Sequence, residues 1–220
     1  METTEITFFS RDSVILKGNL RIPEQPIGLV IFSHGSGSSR LSPRNNFVAQ
    51  ALNREGFATL LTDLLTEGEE DVVENRFDIT LLTSRLLDVT ESIIKRPELS
   101  DLPVGYFGAS TGAASALAAS AQSGDRINAV VSRGGRPDLA ELFLDKVKSP
   151  TLLIVGSLDY QVIEMNESAF AGLKCKKKIE IVKGATHLFE EPGKLAEVAR
   201  LANSWYKKHL LKKVLKPIGN

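Results

Sequence analysis

The first part of the chain differs in its hydrophobic pattern from everything that follows. Residues 5–23 alternate apolar and polar side chains around Arg11-Asp12, which predicts an antiparallel β-hairpin at the edge of a sheet. After this segment the apolar residues come in short, nearly continuous runs, a pattern typical of strands that are buried on both faces. The runs that predict such strands are residues 27–33, 57–62, 104–107, 129–132, 151–156 and 179–182.

Segments of helical length lie between and after these runs. Residues 43–55 begin with a proline after Ser42, a typical helix start, and stop before Gly56, a typical helix end. Residues 75–95 carry leucine and isoleucine at helical spacing, and residues 195–215 form a further predicted helix with lysines gathered toward its end.

The alternation of strands and helices predicts the α/β class, with a doubly wound, mostly parallel sheet and an antiparallel N-terminal hairpin. A length of 220 residues suits one hydrophobic core, so we interpret residues 1–220 as a single domain. Ligands of such sheets bind beyond the carboxyl ends of the strands, and functional residues are expected there.

The composition is that of an ordinary globular protein, with 42% hydrophobic residues, 25% charged residues and a formal net charge of zero. We therefore expect neither a nucleic-acid nor a membrane partner, and a homo-oligomer is left open. Residues 1–5 are polar and acidic, unlike a secretory signal, which favours a cytoplasmic location. The single cysteine, Cys175, lies among lysines and is expected to be an exposed thiol, more plausibly a plain surface residue than a reactive one.

A G-x-S-x-G pattern at residues 108–112 follows one of the predicted strands and precedes an alanine-rich, helix-like stretch. In this context the pattern indicates a sharp strand-to-helix turn that holds Ser110 in a strained conformation with its hydroxyl exposed. The glycines are needed because a Cβ at either position would collide with the turn. Ser110 is therefore the candidate nucleophile.

A serine hydroxyl needs a neighbouring base, and the chain has three histidines. His187 follows the last predicted strand, so it reaches the same edge as Ser110 and is the candidate base. His34 follows the first parallel strand and is expected to hold its loop by hydrogen bonds. His209 lies in the basic terminal helix and is expected at the surface.

The base in turn needs an acid that orients it, and Asp159 follows the strand 151–156. Its structural alternative is a cap on a helix that begins near Tyr160. The order Ser110, Asp159, His187 is the one expected for this strand-turn-helix framework, which favours the catalytic interpretation. Asp63 could substitute as the acid, although it precedes the serine.

A tetrahedral intermediate needs backbone N–H donors for its oxyanion. One is expected from Thr111, the residue after the nucleophile. The other is assigned to Ser36, with Gly37 as the alternative, in the loop 34–39 of sequence His-Gly-Ser-Gly-Ser-Ser. Gly35 and Gly37 would let this loop approach the substrate. A phosphate-binding role is the weaker alternative, because the loop has neither the lysine of a P-loop nor G-x-G-x-x-G spacing.

Two arginines, Arg133 and Arg136, follow the fourth predicted parallel strand. They are candidates to bind a substrate carboxylate or phosphate, and pairing with loop acids such as Asp138 is an equally weighted alternative. Arg40 and Arg44, near the loop 34–39, are open to the same two interpretations, substrate binding or pairing with an acid.

The acidic run at residues 67–71 is expected to be a solvated, flexible loop. Its spacing matches no calcium loop, so no metal site is predicted.

The Gly-Ala-Ser-Thr-Gly turn, the His-Gly-Ser-Gly loop, the Gly-Ser-Leu-Asp segment and the Gly-Ala-Thr-His segment together resemble the α/β-hydrolase superfamily. Within it the chain looks most like the small dienelactone hydrolase-like group, and its length leaves no room for a cap domain. The resemblance implies Ser110 as nucleophile, Asp159 as acid and His187 as base. Dienelactone hydrolase itself has a cysteine as nucleophile, so its substrate is not carried over to this chain.

The expected function is a serine hydrolase that cleaves a small ester through an acyl-enzyme, with a small-molecule acyl substrate and no cofactor. The alternatives are a non-catalytic ligand-binding or regulatory protein on the same fold and, within enzymes, a thioesterase or peptidase.

Overall fold

A computed structural model describes residues 2–210 of the chain, which form one eight-stranded sheet flanked by helices. The strand order across the sheet is β1-β2-β4-β3-β5-β6-β7-β8. The strands are β1 (Thr4–Phe9), β2 (Ile15–Arg21), β3 (Gly28–Ser33), β4 (Phe57–Thr62), β5 (Val104–Ala109), β6 (Ile127–Arg133), β7 (Thr151–Gly156) and β8 (Lys177–Val182). The helices are α1 (Pro43–Arg54), α2 (Glu67–Glu70), α3 (Val73–Phe77), α4 (Ile79–Ile93), α5 (Thr111–Ser123), α6 (Tyr160–Gly172) and α7 (Lys194–His209), with 3₁₀ segments at Gly124–Arg126 and Pro137–Lys146.

The predicted fold class is confirmed. The β1–β2 hairpin is antiparallel and joins β4 in antiparallel pairing, whereas β4, β3, β5, β6, β7 and β8 pair in parallel. All six predicted parallel strands are present, and every residue of β3, β4, β5 and β7 is buried. The last strand differs from its prediction: β8 has one neighbour, so most of its residues are only partly buried or exposed.

The sheet separates two apolar clusters. One cluster contains apolar residues of α1 and α7 together with odd-numbered β6 residues such as Ala129 and Val131. The other contains apolar residues of α4, α5 and α6 together with β6 residues such as Val130. Helix α1 begins as predicted, because the Ser42 side chain accepts a hydrogen bond from Asn45 N at 3.3 Å.

Two predicted segments are corrected by the structure. The helix predicted at 75–95 is two helices, because Asp78 interrupts it and caps α4 by accepting from Leu81 N at 2.9 Å. The acidic run at 67–71 is not a flexible loop: it contains α2, whose first turn is closed by a capping box between Thr66 and Glu69. Of the predicted helix 195–215, residues 211–215 lie outside the described residues.

The Cys175 prediction is also corrected. The thiol is half-buried, with Sγ 3.7 Å from Thr151 Oγ1, and burial raises its pKa despite the neighbouring lysines. This is the opposite of what a reactive thiol needs. Among the described helices, none combines the length and the apolar character that crossing a membrane requires.

Candidate active site

Ser110 lies on a turn between β5 and α5 whose backbone is strained. Its φ of 51° and ψ of −123° fall in a region that favours glycine. A Cβ on Gly108 would stand 2.4 Å from Ala113 Cα, and one on Gly112 would stand 2.2 Å from the Ser33 carbonyl oxygen. Both glycines of the pattern are therefore required by the backbone, as the sequence predicts.

Asp159 and His187 are brought together by the loops that follow β7 and β8. The Asp159 Oδ2 atom lies 2.6 Å from His187 Nδ1. Asp159 also stands at the N-terminal cap position of α6, but its side chain makes no capping hydrogen bond. The carboxylate is thus bound to the imidazole and not to the helix, which separates the two interpretations that the sequence left open.

Glycine makes the crossing of these two loops feasible. A Cβ on Gly156, the last residue of β7, would stand 2.3 Å from the Ala185 carbonyl oxygen. The amide of Leu158 also donates to the Ala185 carbonyl at 3.0 Å. The segment that carries His187 is therefore fixed against the segment that carries Asp159.

Ser110 and His187 both lie next to the Arg133-Gly134 peptide. The Ser110 amide donates to the Arg133 carbonyl at 3.3 Å, and a Cβ on Gly134 would stand 3.5 Å from the His187 ring. No hydrogen bond joins Ser110 Oγ to His187 Nε2 in the described structure, and such bonds commonly tighten only when substrate is bound. His187 Nε2 thus has no hydrogen-bond partner within residues 2–210.

The substitute acid Asp63 is engaged elsewhere. Its two carboxylate oxygens accept from the Arg40 backbone amide at 2.7 Å and from Arg40 Nη1 at 2.6 Å. Arg40 also reaches Glu5 at 3.0 Å. Both residues therefore stabilise the loop after β3, and neither contacts His187.

Of the amides predicted for the oxyanion site, those of Ser36 and Gly37 are already hydrogen-bonded. Gly35 packs directly on Ser110, since a Cβ on Gly35 would stand 2.9 Å from Ser110 Cβ. The Ser36 amide donates to Thr111 Oγ1 at 2.9 Å, and the Gly37 amide donates to Glu70 Oε1 at 2.6 Å. Thr111 begins α5, where backbone N–H groups have no acceptor within the helix.

The other two histidines have separate positions. His34 is buried, its Nε2 accepts from Leu64 N at 3.1 Å, and its Nδ1 lies 3.0 Å from the Gly35 carbonyl oxygen. These contacts hold the loop after β3, the role predicted for this residue. His209 is half-buried rather than at the surface, because its ring packs 4.3 Å from that of Trp205. The Trp205 indole donates to the Pro150 carbonyl, which precedes β7, so His209 lies at the opposite edge of the sheet.

The two candidate arginines differ in their surroundings. Arg136 forms a bidentate salt bridge with Asp138 at 2.7–3.1 Å, so it pairs with a loop acid, one of the two roles expected for it. Arg133 is 5% exposed and pairs with no carboxylate of the described residues. Burial, together with the nearby charge of Arg44, lowers the pKa of Arg133 to about 10.

Three contributors to this region were missed by sequence reasoning: the Glu70 carboxylate, the Thr111 hydroxyl and the Asn45 side chain. The Thr66-x-x-Glu69 pattern was a readable signal for a helix there, but no sequence pattern shows that Glu70 accepts the Gly37 amide. A cavity of about 640 Å³ opens beside the loop after β3, and Ser110, Asp159 and His187 do not line it. Its lining residues are 15–17, 38–41, 63, 65–68, 70 and 71. Within the described chain, no three His, Cys, Asp or Glu side chains converge closely enough to hold a metal ion.

Comparison with protein families and curated proteins gives two results. The model of the dienelactone hydrolase family matches residues 16–215. Two curated relatives from two strains of Mycobacterium tuberculosis, both named "Putative phosphoribosyl transferase", are 56% identical over 197 residues, which are 90% of this chain and 44% of each relative. The chain thus spans less than half the length of these relatives.

Solved structures agree with the family match. A dienelactone hydrolase from Anabaena variabilis superposes with a TM-score of 0.90 at 51% identity, over 95% of this chain and 98% of that one. Est1E from Butyrivibrio proteoclasticus superposes with a TM-score of 0.79 over 93% and 98% of the two chains, and at 18% identity it shows the fold alone. The chain has the α/β-hydrolase fold and belongs to the dienelactone hydrolase family.

Proposed function

We propose that this protein hydrolyses a small carboxylic ester through an acyl-enzyme formed on Ser110. The observation that carries the proposal is the 2.6 Å contact between Asp159 and His187, made by a carboxylate that could have capped a helix instead. This contact lies at the edge of the sheet where the strained Ser110 stands between the sterically required Gly108 and Gly112. Strain of this kind clusters at sites where geometry matters more than stability.

The proposed reaction has two halves. Ser110 Oγ attacks the ester carbonyl carbon while His187 Nε2 takes the hydroxyl proton, and the imidazolium then gives this proton to the departing alcohol. A water molecule then gives a proton to the same Nε2 and attacks the acyl carbonyl carbon, and this proton passes to Ser110 Oγ as the acid departs. Asp159 accepts a hydrogen bond from Nδ1–H, which leaves Nε2 as the unprotonated nitrogen that takes the serine proton.

We assign the oxyanion to the backbone amides of Thr111 and Ser36. In the structure the Ser36 amide donates to Thr111 Oγ1 at 2.9 Å, so the oxyanion must replace this hydroxyl as acceptor. Gly37 is the weaker choice because its amide donates to the Glu70 carboxylate, a stronger acceptor than a hydroxyl. Removing one such donor in a serine hydrolase costs roughly 10²- to 10³-fold in kcat.

The name of the Mycobacterium relatives suggests a second activity, transfer of a phosphoribosyl group. That name describes proteins more than twice as long as the matched segment, of which this chain covers 44%. Ser110, His187 and Asp159 have the chemistry of acyl transfer to water, so we propose hydrolysis for this chain.

Hydrolysis of 4-nitrophenyl acetate tests the proposal. We expect wild-type turnover to fall by roughly 10⁴-fold or more in Ser110→Ala and in His187→Ala, and the double variant to lose no more, since the two residues act as a unit. Ser204→Ala and His209→Ala, on the far helix α7, are matched controls that retain wild-type turnover. Tight ligand binding without turnover would instead favour a non-catalytic ligand-binding protein, and turnover that survives in Ser110→Ala would refute the assignment of Ser110 as nucleophile.

A further inference from the structure

Arg133 is a buried cation without a negative partner. It is the last residue of β6 and is 5% exposed. The hydrogen-bond acceptor that its guanidinium reaches among the described residues is Asn45 Oδ1, at 3.3 Å, and its buried Nε reaches none. Proteins almost never bury an arginine fully unless it is paired, because taking a charge out of water is costly.

A second cation makes the imbalance larger. Arg44, in the first turn of α1, lies close enough for its charge to help lower the Arg133 pKa. Its Nη1 binds the exposed Glu190 at 2.7 Å, but its buried Nε also reaches no acceptor of the described chain. The N-terminus of α1 adds the positive end of a helix dipole. One anion held here would satisfy donors from both guanidinium groups.

This cluster borders the candidate active site. The Arg133 carbonyl accepts the Ser110 amide at 3.3 Å, and the Arg133 guanidinium lies 5.9 Å from the ring of Phe189, two residues after His187. The Arg44–Glu190 pair spans from α1 to the same segment. The Arg133–Arg44 cluster therefore lies between α1 and the loop that carries the base.

The 640 Å³ cavity lies on the other side of Ser110. It follows the ends of β3 and β4 and touches β2, whereas Arg133 ends β6, with β5 and Ser110 between them in the sheet. The residues that line the cavity include neither Ser110 nor His187, so the unpaired positive charge of the Arg133–Arg44 cluster, and not the cavity, points to a substrate group.

We propose that the guanidinium groups of Arg133 and Arg44 bind an anionic oxygen group, a carboxylate or a phosphate, on the substrate whose ester bond Ser110 attacks. This inference rests on the proposed esterase function for its reaction, although anion binding can be measured without it. Guanidinium groups suit the role because their planar N–H donors match two oxygens of a carboxylate or phosphate.

The first experiment measures anion binding with no substrate present. The melting temperature of the full chain is recorded in inorganic phosphate, in acetate and in chloride at equal ionic strength. We expect phosphate or acetate to raise it by about 2–4 °C over chloride, since a ligand that binds the folded state stabilises it. Which of the two anions does so identifies the phosphate or the carboxylate as the group bound.

Three variants locate the effect. Arg133→Met keeps a long side chain without charge, Arg44→Gln alters a partly exposed residue, and Arg96→Gln removes an equal charge far from the site. We expect the anion-specific rise to disappear in the first two variants and to persist in Arg96→Gln. Arg44→Gln carries the test alone if Arg133→Met does not fold.

The second experiment compares two esters with the same leaving group, neutral 4-nitrophenyl acetate and anionic mono-4-nitrophenyl succinate. Wild type is expected to prefer the anionic ester, and Arg133→Met and Arg44→Gln to lose roughly 10- to 100-fold of that preference in kcat/KM, the value of a hydrogen bond to a charged group. An anion-specific rise in melting temperature without turnover of either ester would overturn the esterase and keep the anion site. Turnover with neither a preference nor an anion-specific rise would overturn the anion site alone, as would effects that survive in both arginine variants.

Discussion

The strain at Ser110 predicts that the proposed nucleophile lowers the stability of its own fold. Its φ of 51° and ψ of −123° suit glycine better than any residue with a Cβ. We therefore compare Ser110→Gly with Ser110→Ala, two variants that both lack the hydroxyl and differ in whether the Cβ remains. The expected result is that Ser110→Gly is the more stable of the two.

The magnitude follows from two opposing terms. A residue held in a sparsely populated backbone region costs about 1–3 kcal/mol, which glycine relieves. Glycine costs roughly 0.5–1 kcal/mol more than alanine because its unfolded chain is more flexible. The free energy of unfolding of Ser110→Gly should therefore exceed that of Ser110→Ala by about 0.5–2 kcal/mol, or by roughly 1–8 °C in melting temperature for a chain of this size.

Urea denaturation at neutral pH measures this difference, and Ser204 provides the matched control. Ser204 is exposed within α7, where glycine is expected to be less stable than alanine by about 1 kcal/mol. The sign of the glycine-minus-alanine difference should thus be opposite at the two positions. The same sign at both would refute the claim that the turn holds Ser110 in a strained state.

Three further predictions concern the site and its support. Asp159→Asn should keep the melting temperature near that of wild type and lower kcat toward 4-nitrophenyl acetate by up to about 10⁴-fold, because the amide favours the wrong imidazole tautomer; an unchanged kcat would contradict the role of Asp159. Thr111→Val should raise kcat/KM by roughly fivefold, and Thr111→Ser should match wild type. The reason is that valine removes the hydroxyl that competes with the oxyanion for the Ser36 amide, a hydrogen bond of about 1 kcal/mol. A lower kcat/KM in Thr111→Val would show that the hydroxyl assists the reaction instead. Hydrogen bonds from Arg85 lower the pKa of Glu69 from 4.5 to about 2. This carboxylate therefore stabilises the fold by up to about 3 kcal/mol above pH 4.5, and the contribution is lost as the pH falls toward 2. Urea titrations should show that Glu69→Gln is less stable than wild type at pH 7 and loses less stability than wild type between pH 5 and pH 2.

The framework of the fold follows from the sequence for a simple reason. Strands covered on both faces need apolar side chains at every position, and such runs stand out between polar helices. The turn at Ser110 is equally readable from the G-x-S-x-G pattern, because the Cβ clash at Gly108 is with Ala113 of the same turn. The clash at Gly112 is with the end of β3, a contact that the local sequence does not show. The β8 strand was harder to judge, since an edge strand with one neighbour buries only some of its residues.

The fate of individual polar groups depends on contacts that sequence does not show. Arg136 has its acid two residues away and could be interpreted locally, whereas the surroundings of Arg133 depend on Asn45 and Arg44, about ninety residues earlier. The Ser36 and Gly37 amides were expected to be free, but the packing of α5 and α2 provides acceptors for both. The predicted strand order places the loop after β3 near α5, but only the side-chain geometry shows which acceptors the Ser36 and Gly37 amides bind.

Labelling with a fluorophosphonate probe tests the central claim most directly. An activated serine displaces fluoride from this probe and forms a stable bond between its Oγ and phosphorus. We predict one adduct per chain, located by mass spectrometry on the peptide that contains Ser110, absent in Ser110→Ala and formed much more slowly in His187→Ala. An unlabelled wild-type protein, or labelling that persists in Ser110→Ala, would contradict the account.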